Sequence, residues 1–145
     1  MKSASLLFIC VSISVPVAAQ NVLPLVGRYK ALSSATENLV RDLSSAENLE
    51  RQKDSLSEKI ASLENANQRL TQSVEGYSPA RQNREGRRML LLVGQGCAQI
   101  DFVLKGLRYY VETRDSSFLS LTAAGGQILS GIKRQLPATV PAAGQ

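Results

Sequence analysis

The side chains that could do chemistry in this 145-residue chain are few, and their spacing organises no familiar reaction. There is no histidine. That removes Ser-His-Asp and Cys-His nucleophile arrangements and every histidine-containing zinc site. Cys10 lies in an N-terminal apolar stretch, and Cys97 falls on the apolar line of a helix, where it reads as a small buried hydrophobe rather than a reactive thiol. Gly94-Gln95-Gly96 sits mid-helix without a preceding strand or a following Gly-Lys-Ser, so it is not a phosphate loop. Glu50 and Asp54 share a solvated helix face with Arg51, an ordinary polar surface rather than a general acid/base pair. No cofactor and no metal are expected, and the chain reads as a non-enzyme.

One charged cluster suggests recognition. Arg81, Arg84 and Arg88 are spaced three and four apart, with Arg87 adjacent and only Glu85 opposing. Positive charge at a helix start opposes the macrodipole and lends no local stability. The candidate ligands are anionic: lipid head groups, an envelope polymer, or an acidic protein surface. Nucleic acid fits less well, because no aromatic stacking platform accompanies the arginines. The charge is also uneven along the chain. Residues 28–75 carry a net −1 and residues 76–145 a net +5, as expected of two halves with different neighbours.

The elements that would position these residues are helical. Leu49, Leu56, Leu63 and Leu70 fall seven apart, and Lys53, Ile60, Asn67 and Val74 follow each by four. Leu32, Leu39 and Ala46 extend the pattern backward. No proline interrupts Leu25 to Ser78, and Ser34-Ala35-Thr36-Glu37 matches a capping box. The spacing predicts one long heptad helix over residues 34–75, preceded by a lead-in at 20–33. A repeat of 3.5 is what two helices need to keep one seam in contact, so Leu39, Ala46, Leu49, Lys53, Leu56, Ile60, Leu63, Asn67, Leu70 and Val74 are the candidate association seam. Packing of that line inside the chain's own bundle is the alternative. A homo-oligomer joined through helix packing is expected.

Gly76-Tyr77-Ser78-Pro79 ends that helix. A helical hairpin is expected over 79–136, its helices at about Pro79–Thr113 and Ser117–Gln135, then a loose tail over 137–145. Leu90, Val93, Cys97, Ile100, Leu104, Leu107 and Val111 line the first hairpin helix. Leu91, Leu92, Phe102 and Tyr109 lie off that line, which predicts burial among several neighbours. The apolar stretch 89–107 has the length of a membrane span, but Asp101 and Lys105 near its centre would cost about 2.5–3.5 kcal/mol each. The fold class expected is all-α: a long coiled-coil-like helix followed by a hairpin, three helices in all.

The N-terminus carries an address. Lys2, the apolar run Leu6–Val11 and Val17-Ala18-Ala19 match a secretory signal cleaved after Ala19. The protein is therefore expected to be exported, to a periplasm or to the medium. One cysteine would remain, so no internal disulfide is expected. In outline, a leader followed by a long helix and a hairpin is similar to small periplasmic accessory proteins of conjugative secretion machines. That likeness of shape implies a scaffold or adaptor subunit of an envelope or secretion assembly. The competing expectation is a peripheral envelope or membrane binder acting through Arg81–Arg88 and the apolar second helix.

Overall fold

The computed structural model describes residues 21–45 and 49–138. The expected leader at 1–19, the seam residue Ala46 and residues 139–145 of the expected tail lie outside the described residues. Among the described residues there are four α-helices, α1 Leu23–Ser44, α2 Leu49–Glu75, α3 Arg84–Thr113 and α4 Ser116–Gln135, with one 3-10 turn at Pro79–Arg81. They pack as an up-down-up-down bundle. α1 and α3 touch each other and both remaining helices, whereas α2 and α4 do not meet. The first and third helices thus form the short diagonal of the bundle.

This corrects the expectation of three helices with one long coiled-coil-like helix over 34–75. The chain folds back after Ser45, where local bonds weaken the helix and the packing of α1 on α2 decides the turn. Ser44 donates to the Val40 carbonyl at 2.8 Å, and the Ser45 hydroxyl reaches the Arg41 and Asp42 carbonyls at 3.2 Å. Such back-bonds offer the backbone an alternative to continuing the helix. Upstream, the helix begins at Leu23 rather than Ser34. Asn21 Oδ1 accepts the Leu23 N–H at 3.0 Å, and Pro24 occupies the first turn, where a missing N–H does no harm. The capping-box residues are mid-helix instead: Thr36 donates to the Leu32 carbonyl and Ser33 to Glu37 Oε1.

The two heptad halves face each other. Leu32 and Leu70 line one inter-helix groove and Leu39 and Leu63 another. Arg28 Nη1 donates to Ser73 Oγ at 3.1 Å, and Tyr77 hydroxyl to the Asn21 carbonyl at 3.1 Å, which places the start of α1 beside the end of α2. A seven-residue repeat serves an antiparallel helix pair as well as a parallel one, because four-helix bundles cross at about 20° like coiled coils.

The remaining helices are tied in the same sense. Glu64 pairs with Arg108 and Glu50 with Arg114 between α2 and α3, the latter at 2.9 Å. Between α1 and α4, Glu37 pairs with Lys133 at 2.9 Å, and Lys30 Nζ donates to the Pro137 carbonyl at 2.6 Å. Pro79 opens only a 3-10 turn. Gln82 is extended, and Asn83 begins α3 as its cap, accepting the Gly86 N–H at 2.7 Å. Asp115 caps α4 by accepting the Ser117 N–H at 2.9 Å, and the Ser117 bonds hold its carboxyl below the usual range.

α3 is the central helix. Val93, Ile100, Val103, Leu104 and Leu107 have no exposed surface. It is long and apolar enough to cross a membrane, with a mean hydropathy of 1.3 over its best window, but 56% of that window is buried in the bundle. Close approach to its neighbours depends on glycine. A methyl group at Gly96 would lie 2.6 Å from the Tyr29 hydroxyl and closer still to the ring, itself fully buried. Gly125 of α4 admits Val103, and Gly106 of α3 admits Thr122, so α3 and α4 run antiparallel at close range. Tyr109 and Phe118 stack across that junction with centroids 5.4 Å apart.

Candidate interaction surface

The residues read as an association seam lie mostly inside the chain. Leu39, Leu56, Ile60, Asn67 and Leu70 are buried; Leu49, Leu63 and Val74 are half-buried against the same core. Lys53 alone of the described seam residues points to solvent. Asn67, the polar seam residue, donates through Nδ2 to the Cys97 carbonyl of α3 at 2.9 Å, while its Oδ1 is buried without a partner. It reads the neighbouring helix rather than a twin across a two-fold axis. Glu64, on the flank of the same line, pairs with Arg108 of α3.

What remains apolar and exposed is elsewhere: Leu23 stands alone at the start of α1, and the other large side chains lie on α3 and α4. Leu91, Phe102 and Tyr109 on α3, and Leu121 and Ile128 on α4, each retain between 44% and 64% of their surface. On α3 the spacings are eleven and seven residues, which return to the same side of a helix within about 20°. Leu121 and Ile128 are seven apart and share a side of α4 by the same argument. Gly125 lies against Phe102, and Phe118 against Tyr109, so the two lines border one junction. α1 and α2 pack on the other sides of α3, leaving these lines on one outer face of the α3–α4 pair. Exposed apolar side chains aligned along two neighbouring helices in this way suit a place of contact.

No protein-family model matches this chain, and neither a curated protein nor a solved structure matches it.

Sequence reasoning had these residues in view and assigned them differently. Leu91, Phe102 and Tyr109 lie off the main apolar line, which predicted burial among further helices; among the described residues no further helix covers them. On α4, Leu121 and Ile128 are exposed and Leu129 is fully buried. The signal was the second apolar stripe of α3, and its meaning depended on how many helices share the core.

The arginines sit at one end of this face. Arg81, Arg84, Arg87 and Arg88 are all exposed, and none makes an ion pair among the described residues. Arg81 belongs to the 3-10 turn, so only the other three ride on α3. Glu112 is exposed at the opposite end of α3. Lys105 and Asp101 pair with each other at 2.7 Å along the flank.

The remaining reactive groups are quiet. Cys97 is a free, buried thiol. Burial pushes it up from its ordinary range, with the Thr71 hydroxyl and the Arg28 charge pulling the other way, so it is held as a thiol rather than a nucleophilic thiolate. Burial likewise pushes Tyr29 up to about 12, against the neighbouring Ser33 hydroxyl. Cys97 and Asn67 border a groove between α2 and α3 that also takes in Glu64, Thr71 and Asp101, a polar lining without a converging acid, base and nucleophile.

Proposed function

We propose that this chain is an exported, non-enzymatic helical scaffold or adaptor, a subunit of an envelope or secretion assembly that binds protein partners by helix packing. The observation that carries the reading is the apolar face of α3 and α4. A bundle that buries its leucine lines internally yet keeps Leu91, Phe102, Tyr109, Leu121 and Ile128 exposed has surface suited to another helix. The export part rests on the N-terminal pattern Lys2, Leu6–Val11 and Val17-Ala18-Ala19. The non-enzymatic part is supported by the missing histidine and the protonated, buried Cys97.

A second reading has its own support: Arg84, Arg87 and Arg88 border the apolar face, an arrangement suited to anionic lipid at a membrane surface. One experiment separates the two. A photo-reactive residue placed at Phe102, with a control at the exposed Lys53 on α2, is irradiated in cells carrying the protein in its native compartment. The scaffold reading expects a protein adduct from position 102 and none from 53. Lipid adducts alone from position 102 would replace it with the membrane reading, and equal protein adducts from both positions would refute both.

A further inference from the structure

We infer that the partner seated on the α3–α4 face is a second copy of this chain, packed antiparallel across a two-fold axis. The inference rests on the protein-binding reading above and names its partner. A two-fold interface must be self-complementary: if one residue meets a second across it, the second meets the first, and only residues on the axis meet their own counterparts. The exposed line of α3 runs from Leu91 to Tyr109, and its midpoint is residue 100. An antiparallel copy centred there lays Leu91 on the partner's Tyr109 and the Phe102 ring over the partner's small, exposed Ala98.

The charges then follow. Arg87 falls within one residue, about 1.5 Å, of the level of the partner's Glu112, and both project from the same side of the apolar line, about 50–70° from it at 100° per residue. The pair occurs twice by symmetry. Both side chains are exposed and neither has an ion pair among the described residues. A parallel copy would instead bring the Arg84, Arg87 and Arg88 ends together, so charge selects the antiparallel arrangement. The flanking Asp101–Lys105 pair neutralises itself and leaves the centre of the face without net charge.

The second helix agrees with the same axis. Gly125 against Val103 and Gly106 against Thr122 fix the α3–α4 register, which places residue 100 level with Ile128. Ile128 therefore lies on the two-fold and meets its own counterpart, and it is more than half exposed in the single chain.

Sedimentation velocity on the full chain over the micromolar range tests this, with circular dichroism on each variant. The wild type is expected to be a dimer. Ile128→Arg places two like charges on the axis and is expected to raise the dissociation constant at least a hundredfold with an unchanged helical spectrum. Arg87→Glu and Glu112→Arg are each expected to weaken association about tenfold, and the double exchange to restore it, which a merely structural role would not do. A wild-type monomer, a dimer indifferent to Ile128→Arg, or single exchanges that the double exchange fails to rescue would each overturn the proposal. If the protein is monomeric while position 102 still captures a different protein in cells, the self-association fails and the adaptor reading stands. If position 102 captures only lipid, both fail.

Discussion

Gly96→Val is expected to be among the most damaging single substitutions in the chain, while Gly94→Ala two residues earlier is expected to stabilise it. The two glycines share one helix and differ in what a side chain would meet. Nothing lies within 4 Å of a methyl group at Gly94, whereas one at Gly96 would enter the ring of Tyr29. Glycine in a helix interior is about 0.8–1 kcal/mol less favourable than alanine, so Gly94→Ala gains roughly that amount. Gly96→Ala has the same propensity gain but must displace a fully buried ring between α1 and α3. Overpacking of this kind costs about 1–3 kcal/mol, and the added methyls of valine place Gly96→Val at or beyond the upper end. Thermal and urea melts of the three variants read the difference directly. Tyr29→Leu combined with Gly96→Ala is expected to recover part of the loss. Equal stability of Gly94→Ala and Gly96→Ala would show that Tyr29 does not pack there.

Ile60→Ala and Leu70→Ala form the second large prediction. Each residue is about 1% exposed, and each sits on the heptad pattern of α2. Truncation of a fully buried aliphatic side chain costs about 2–5 kcal/mol, by lost transfer energy and by the cavity left behind. Lys53, at the same heptad position as Ile60, is exposed, so Lys53→Ala should stay within about 0.5 kcal/mol of the wild type. Because the line is closed inside the chain, the two core losses should be unchanged in the Ile128→Arg background. The association constant of folded protein should be unchanged too. If both core variants instead dissociated the protein without lowering the stability of the single chain, the leucine line would be joining chains.

Much of the fold was legible from spacing. The all-helical class, the break at Gly76–Pro79 and α4 within one residue of its start follow from heptads, helix breakers and caps. The reversal after Ser45 did not, because the heptad phase carries on past it. Leu39 and Leu49 belong to helices running in opposite directions, yet no proline or glycine lies between them to say so. Two serines and an asparagine are weaker punctuation, and their effect emerges only when α1 finds α2 to pack against. The candidate face was misjudged for a related reason. Phe102 and Tyr109 are apolar whether a helix of the same chain covers them or another molecule does. Tertiary topology decides between the two, and a period of 3.6 cannot.

The distance between residues 28 and 73 tests the account most directly. In the bundle, Arg28 Nη1 and Ser73 Oγ are 3.1 Å apart, because α1 and α2 form an antiparallel pair. In one continuous helix the same residues would be about 68 Å apart at 1.5 Å per residue. Spin labels at Arg28 and Ser73 in a background with Cys10→Ala and Cys97→Ala, diluted into unlabelled protein so that only one chain is read, distinguish these by pulsed electron resonance. The closed bundle predicts a single distance shorter than about 20 Å, the sum of two label arms across one helix contact. A distance beyond 50 Å would contradict it, and would return the leucine line to the work of joining separate chains.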